Sequence, residues 1–150
     1  MTSPQPSVLV IGAGMYVGGR GVGTDGTVLP TLMQAQTRGL IGDILVAATR
    51  RDSIEMLERK LGELNTRMGM DVHIKSYPSS GHQDPVAYRG ALADLPRPAC
   101  AIVVTPDHLH FSIATEVIRA GVHVLVVKPL TPILAEAVAL VEEAEEHEVY

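Results

Sequence analysis

One lysine stands where it can act on a bound ligand. Lys128 follows the predicted strand from His123 to Val127 and precedes Pro129, so the sequence places it at the end of that strand. In a parallel sheet the loops after the strands share one edge, and ligands bind along that edge. A lysine there can exchange a proton with a substrate hydroxyl or donate a hydrogen bond to it. The alternative for an isolated strand-end lysine is a solvated side chain.

A glycine-rich segment follows the first apolar run, with seven glycines from Gly12 to Gly26. This density predicts a loop whose backbone approaches another group closely. Gly12 suits a tight turn, and Gly14 allows a pyrophosphate to approach the backbone. Position 17 is valine, so the third glycine of the motif is either Gly18 or, after an insertion of about nine residues, Gly26. The ligand contacts predicted in this loop are Gly12, Gly14, Met15, Tyr16 and Gly18.

Basic residues follow the second predicted strand. An acidic residue at this point receives the ribose hydroxyls of NAD, but here the strand runs into Thr49-Arg50-Arg51. Guanidinium groups pair with phosphate oxygens in a planar, bidentate way, so this sequence favours the 2′-phosphate of NADP over NAD. The alternative is that Arg50 and Arg51 are solvated residues ahead of a helix.

Two histidines lie in Thr105-Pro106-Asp107-His108-Leu109-His110, which follows a third buried strand at the same predicted edge. His108 and His110 have no nearby set of carboxylates and cysteines, so we predict no metal site. Cys100 is the only cysteine, which excludes intrachain disulfides and CxxC metal motifs. Its apolar neighbours predict a buried structural thiol.

Strands and helices that alternate along the chain must position these residues. We predict strands over 7–11, 43–49, 72–75, 99–104 and 123–127, and helices near 27–39, 53–64, 85–94, 109–121 and 131–141. Three of these helices have a predicted buried side. The residues are Met56, Leu57, Leu61 and Leu64 in the helix capped by Ser53; Leu109, Ile113, Val117 and Ile118 in the helix near 109–121; and Leu134, Ala137, Val138 and Val141 in the last helix. The cluster Glu142 to Glu148 is predicted to be a solvated face. The pattern predicts a doubly wound, mostly parallel α/β sheet, the Rossmann fold.

Composition limits the partners. The chain has 150 residues, which is the size of one domain. We predict a tail over 1–6 and one dinucleotide-binding domain over 7–150. A formal net charge of −5 without a basic run argues against nucleic acid and anionic membranes, so a small molecule is the expected partner. The sequence contains neither an apolar run long enough for a membrane span nor a basic signal-peptide start. We therefore expect a cytoplasmic protein.

Three motifs together resemble the Gfo/Idh/MocA family of glucose-fructose oxidoreductase and inositol dehydrogenase. They are Gly12-Ala13-Gly14, the run from Thr105 to His110, and Val127-Lys128-Pro129-Leu130. The family pattern T-P-x-x-x-H is matched at Thr105, Pro106 and His110. The pattern E-K-P is matched at Lys128 and Pro129, with Val127 in place of the glutamate. The resemblance spans nearly the whole chain.

The resemblance implies a hydride transfer between nicotinamide and a sugar, cyclitol or related polyol. Lys128 would be the catalytic residue, and the Lys128–Pro129 bond would be cis. The cofactor contacts at this end would be Thr105, Pro106, His110, Lys128 and Pro129. Family members carry a second α+β domain, absent from this chain, that binds substrate and forms homo-oligomers. We therefore expect the 150 residues alone to bind cofactor without turnover.

Other functions remain as alternatives. A non-catalytic NAD(P)-binding module, acting as a redox sensor or structural subunit, would also have these motifs, and Val127 favours it. A methyltransferase of similar fold would need an acidic residue where Thr49-Arg50-Arg51 stands. A short-chain dehydrogenase would need a tyrosine followed four residues later by lysine, and none of the four tyrosines meets that condition.

Overall fold

The chain forms alternating strands and helices. The structure is a computed structural model that describes residues 4–21 and 23–150. Along these residues the elements are β1 (Ser7–Ile11), α1 (Met15–Gly18), α2 (Val28–Thr37), β2 (Ile44–Ala47), α3 (Arg51–Met68), β3 (Lys75–Tyr77), α4 (Ala87–Asp94), β4 (Ala99–Val103), α5 (His110–Arg119), β5 (His123–Val126) and α6 (Leu134–Glu146). Residues 1–3 of the predicted tail lie outside the described residues, and residues 4–6 are neither helix nor strand.

The five strands form one parallel sheet in the order β3-β2-β1-β4-β5. Leu9 of β1 lies opposite Leu45 of β2 on one side and Ala101 of β4 on the other. The chain moves outward from β1 to β3 and then crosses back to β4. This change of direction leaves a crevice between the carboxyl ends of β1 and β4, where open α/β sheets bind ligands. The predicted doubly wound α/β fold is confirmed.

Helices cover both faces of the central strands. Val8 and Val10 pack on one face with residues of α2 and α3, whereas Leu9 and Ile11 pack on the other with residues of α4 and α5. All five residues of β1 are buried. Because both faces are covered, the strand has no polar alternation and reads as a continuous apolar run.

Helix α3 begins earlier than predicted. It starts at Arg51, and its N-cap position is Arg50 without a side-chain capping bond, so Ser53 is not the cap. Ile54, Leu57, Leu61 and Leu64 form the buried side, whereas Met56 is 58% exposed. The predicted stripe was therefore wrong at Met56, which lies about 100° around the helix from Leu57.

The third strand lies further along the chain than predicted. β3 covers Lys75–Tyr77, whereas the sequence predicted residues 72–75. The side chain of Asn65 binds both the N–H and the C=O of Val72, at 3.0 and 2.8 Å. Because these bonds occupy the backbone of Val72 and its side chain is buried in the core beside α3, pairing with β2 begins only at Lys75.

The last helix presents a different side to the core than predicted. Leu134, Val138 and Val141 are 80%, 48% and 52% exposed, and Leu140 is the buried residue. Leu140 packs with Ala114 and Ile118 of α5. Glu143, predicted to belong to a solvated face, pairs with Arg119 of α5 at 2.6 Å. Contact with α5 therefore sets the orientation of α6. Leu109, also predicted to be buried, is 36% exposed in the 3-10 turn Asp107–Leu109 ahead of α5.

Candidate functional site

A cavity of about 1070 Å³ opens along the carboxyl edge of the sheet. Its wall combines the glycine-rich loop, the ends of β2 and β4, one side of α3 and the start of α4. Eight residues predicted from sequence line it: Gly12, Gly14, Met15, Gly18, Thr49, Arg50, Thr105 and Pro106. Within the described part of the chain, its wall does not include five other predicted residues: Tyr16, Arg51, His110, Lys128 and Pro129.

Gly12 and Gly14 differ in what surrounds them. Gly12 has φ +123°, and a Cβ there would lie 2.2 Å from the carbonyl oxygen of Val104. A side chain at this position would collide with the end of β4. At Gly14, in contrast, a Cβ would meet no described atom within 4 Å. Gly12 therefore permits the turn, whereas Gly14 leaves backbone open towards the cavity.

The sequence predicted a loop throughout Gly12 to Gly26, and this prediction was wrong for the segment directly after Gly14. Met15–Gly18 forms one turn of helix, α1. A Cβ on Gly18 would lie 2.4 Å from Cδ1 of Leu57 in α3, so this glycine allows α1 to approach α3. Gly26 has φ +67° and packs under α1, where a Cβ would lie 2.5 Å from the carbonyl oxygen of Val17. Gly18 therefore both packs closely against α3 and lines the cavity.

Residues 19–21 and 23–26 belong to a loop that rests on α3. Arg20 and Thr24 close it, because the N–H of Arg20 donates to Thr24 Oγ1 at 2.8 Å and that hydroxyl donates to the Arg20 carbonyl. Asp25 pairs with Arg67 and lies 3.7 Å from Lys60 Nζ. Val22, part of the predicted loop, lies outside the described residues. The ion pairs hold this loop against α3, and Arg20 lines the cavity.

The two arginines after β2 have different surroundings. Arg50 lines the cavity and is exposed. Arg51 instead donates to Glu58 at 3.2 Å and to the Pro78 carbonyl at 3.1 Å, and its Nε is 3.4 Å from Glu55. The sequence alone predicted that both arginines would serve the 2′-phosphate of NADP. Arg50 has the extended backbone of the N-cap position, whereas Arg51 is the first residue of α3, so the two side chains leave the backbone in different directions.

Basic side chains outnumber acidic ones in the cavity wall. Arg20, Arg50, Arg59, Lys60 and Arg67 line it, against Glu63 and Asp84. Lys60 and Arg67 pair with carboxylates of Asp25 and Glu63. Among the described residues, no ion pair forms to Arg20, Arg50 or Arg59. The sequence analysis missed Arg20 and Arg59. It also missed the cavity-lining Ser53, whose hydroxyl it assigned to a cap.

The β4 end carries an unpartnered hydroxyl. Thr105 Oγ1 is buried in the cavity wall and has no hydrogen-bond partner among the described residues. A buried polar atom of this kind costs free energy unless a ligand or water satisfies it. Together with the open backbone at Gly14, this hydroxyl fits a polar ligand such as a dinucleotide. The cavity volume is at the upper end of those of small-molecule and cofactor sites.

His110 and Lys128 lie beside this end rather than in the cavity wall. His110 is fully buried, with its ring nitrogens 2.8 Å from the Thr105 carbonyl and 2.9 Å from the Pro129 carbonyl. Lys128 is exposed just beyond β5, and no side-chain partner for it is found in the described part of the chain. The Lys128–Pro129 bond is cis, as the resemblance implied.

An aromatic residue missed by the sequence analysis closes the α4 side. Tyr88 lines the cavity, and its hydroxyl donates to Glu116 of α5 at 2.9 Å. Burial and this contact raise the pKa of Tyr88. The guanidinium of Arg89, 2.7 Å from Glu116, lowers the pKa of that carboxyl. The ionised Glu116 therefore fixes the Tyr88 ring as part of the wall.

Within residues 4–21 and 23–150, no three histidine, cysteine or acidic side chains are grouped so that they could hold a metal ion. None of the described helices has the length and apolar character required to cross a membrane.

Comparisons with known proteins agree with this geometry. The profile of the Gfo/Idh/MocA oxidoreductase family, with an NAD-binding Rossmann fold, matches residues 47–150. No curated protein matches the chain. Among solved structures, GenD2 from gentamicin A biosynthesis, in complex with NAD, is 28% identical with a TM-score of 0.62, and the match covers 98% of this chain and 33% of GenD2.

Two more distant structures show the same fold. KijD10, a 3-ketoreductase from Actinomadura kijaniata in complex with NADP and TDP-benzene, is 23% identical with a TM-score of 0.63; the match covers 98% of this chain and 36% of KijD10. The WlbA dehydrogenase from Bordetella pertussis, in complex with NADH and UDP-GlcNAcA, is 18% identical with a TM-score of 0.66; the match covers 99% and 36%. This chain thus spans about a third of each structure.

Proposed function

Because the chain belongs to the Gfo/Idh/MocA family of oxidoreductases, we propose that it is the NADP-binding part of an enzyme that oxidises or reduces a sugar, cyclitol or related polyol. One observation carries the proposal. The cavity that contains the open backbone of Gly14 also contains three arginines without an ion pair among the described residues, Arg20, Arg50 and Arg59. The first feature suits a pyrophosphate, and the second suits a further phosphate.

The dinucleotide would extend along the carboxyl edge. Its pyrophosphate would lie at Gly12 and Gly14, near Met15, Tyr16 and Gly18 at the first turn of α1. The nicotinamide would lie towards Thr105, Pro106, Pro129 and the buried His110. Thr105 Oγ1, unpartnered among the described residues, would gain a hydrogen bond from this ligand. The Rossmann fold of the family supports this direction of binding.

The preference for NADP rests on the end of β2. Thr49 and Arg50 line the cavity where an NAD site would need a carboxylate. We assign the 2′-phosphate to Arg50, with the Ser53 hydroxyl beside it, and assign Arg51 to stabilising the loop through Glu58 and Pro78. GenD2 was solved with NAD and KijD10 with NADP, so the preference depends on these residues of this chain.

Lys128 would transfer the proton that accompanies the hydride transfer. When bound, nicotinamide accepts or supplies the hydride at the reacting carbon. The ammonium of Lys128 would donate a hydrogen bond to the oxygen on that carbon and exchange a proton with it. Val127 stands before this lysine, so the neighbouring carboxylate implied by the family pattern would have to come from elsewhere.

The complete activity is part of the proposal. This chain spans about a third of the structures it resembles. We propose that substrate binding and homo-oligomer formation belong to a second domain, and that the 150 residues bind cofactor without turnover. The WlbA dehydrogenase was solved with the sugar nucleotide UDP-GlcNAcA, which supports a sugar-related substrate.

A non-catalytic cofactor-binding module is the second candidate. Val127 favours it, because it removes the carboxylate next to Lys128. Both candidates predict cofactor binding, but only the enzyme predicts that Lys128→Ala in a protein with both domains abolishes turnover while leaving NADPH binding within about twofold. An unchanged turnover rate in that variant would contradict the assignment of Lys128.

Calorimetric titration of NADPH and NADH into the chain tests the cofactor proposal. We expect tighter binding of NADPH, and we expect Arg50→Ala to weaken NADPH about tenfold while leaving NADH unchanged. Arg51→Ala is the matched control and should change the NADPH affinity by less than about threefold. Equal affinities for the two cofactors would overturn the NADP preference, and no binding of either would overturn the cofactor site.

A further inference from the structure

We propose that His110 is a positioning residue that joins the loops after β4 and β5 and thereby fixes Lys128 relative to the cofactor. The inference rests on the proposed function for what Lys128 does, but its geometric part stands on the contacts of His110 alone. His110 begins α5, and its ring lies between two loops that come from neighbouring strands.

The ring makes one contact with each loop. Nε2 lies 2.8 Å from the carbonyl oxygen of Thr105, after β4, and Nδ1 lies 2.9 Å from the carbonyl oxygen of Pro129, after β5. The side chain is fully buried, with 0% exposure. Water therefore does not compete for either nitrogen. The two contacts give His110 a single orientation between the loops.

Carbonyl oxygens accept hydrogen bonds and donate none. Each contact is therefore a hydrogen bond when the ring nitrogen that faces it carries a proton. A neutral imidazole donates to one carbonyl at a time, and an imidazolium donates to both. A phenylalanine ring would have a similar shape and would donate to neither. Donor capacity, rather than ring shape, is what joins the loops.

The two carbonyls belong to residues in different parts of the site. Thr105 lines the cavity, whereas Pro129 follows Lys128 directly. Lys128 itself is exposed and has no polar side-chain partner among the described residues. Because its side chain has no such partner, its position depends on how its backbone is held. The Nδ1 contact holds that backbone one residue away.

Three variants separate the two contacts. His110→Phe removes both donors, while His110→Asn retains an amide donor near the Nδ1 position and so keeps the Pro129 contact. His110→Gln places its donor near the Nε2 position and keeps the Thr105 contact instead. If His110→Asn keeps the wild-type behaviour and His110→Gln does not, the Pro129 contact is the one that positions the Lys128 loop.

The order of the Lys128 loop is measured first, by 15N relaxation of the chain without ligand. In His110→Phe and His110→Gln, we expect the order parameters of the Lys128, Leu130 and Thr131 amides to fall from about 0.85 to below about 0.6. In His110→Asn they should stay near the wild-type value. Wild-type order parameters in His110→Gln, or an equal loss in His110→Gln and His110→Asn, would overturn the proposal.

Two ligands then separate this inference from the proposed function. NADPH reaches both ends of the cavity, whereas 2′,5′-ADP lacks the nicotinamide. We expect His110→Gln to weaken NADPH about tenfold and 2′,5′-ADP less than about twofold. Equal weakening of both ligands would contradict positioning at the nicotinamide end. If the wild-type chain binds neither ligand, the proposed function fails, and the order parameters still decide whether His110 fixes the loop.

Discussion

The two ends of the cavity are built in opposite ways. At the glycine-rich end, the missing side chains of Gly12 and Gly14 provide space, and partly exposed ion pairs of Asp25 hold the loop after α1 against α3. At the other end, the ring nitrogens of the fully buried His110 contact carbonyl oxygens of two loops. The first end offers open backbone and space, whereas the second end depends on where hydrogen-bond donors and acceptors lie. Substitutions should therefore affect these ends differently.

The largest effect is expected at Gly12. Gly12→Ala would combine strain at φ +123° with an overlap of its Cβ and the Val104 carbonyl oxygen, 2.2 Å apart. We expect a loss of about 3 kcal/mol in the free energy of unfolding, together with loss of cofactor binding. Urea denaturation followed by circular dichroism measures the first effect. A change below about 1 kcal/mol in the free energy of unfolding would show that the backbone between β1 and β4 can shift to accommodate a methyl group.

Gly14→Ala should separate binding from stability. Gly14 has φ −80°, which alanine adopts, and a Cβ there meets no described atom within 4 Å. We expect the unfolding midpoint to remain within about 2 °C of the wild type, while NADPH binds at least about tenfold more weakly because the methyl group stands in the way of the pyrophosphate. Unchanged NADPH affinity would place the pyrophosphate elsewhere.

A smaller effect is expected where the loop that contains Asp25 rests on α3. Asp25→Asn removes the charge that pairs with Arg67 and Lys60. We expect a loss of at most about 1 kcal/mol in unfolding free energy, since the pairs are partly exposed. Faster proteolysis at Arg20 should accompany it. Glu63→Gln, which removes the other carboxylate beside Lys60, is the matched control and should leave cleavage unchanged.

The smallest effect concerns pH and the wall formed by Tyr88. Arg89, and then Tyr88, bind the Glu116 carboxylate and hold its pKa below the ordinary value of 4.5. A carboxyl whose pKa is lowered on folding stabilises the protein above its unfolded pKa, and this stabilisation disappears as the pH falls through the folded pKa. Glu116→Gln should therefore lower the melting temperature slightly at pH 7 and not at low pH.

Thermal unfolding over this pH range measures the Glu116 effect. Glu142→Gln is the matched control, because that carboxylate is exposed on α6. A melting-temperature difference between wild type and Glu116→Gln that persists at low pH would contradict the electrostatic explanation. It would assign the effect to packing of the Tyr88 ring instead.

Local patterns predicted much of the backbone. Continuous apolar runs at β1 and β2 indicated strands covered on both faces, and Gly12-Ala13-Gly14 after β1 indicated where the chain must turn tightly. The side of a helix that becomes buried was less predictable. In α6, apolar residues lie on several sides, and contact with α5 selected Leu140 over Leu134, Val138 and Val141.

By itself, the sequence determined the alternation of strands and helices, the glycine-rich turn and the edge at which candidate residues gather. These features depend on neighbours a few positions apart, and a linear pattern records such neighbours. The tertiary structure alone decided that Arg50 enters the cavity while Arg51 turns to Glu58, and that the nitrogens of His110 meet carbonyls of two loops. Those outcomes depend on partners distant in sequence, which become neighbours only when the sheet brings the strand ends together.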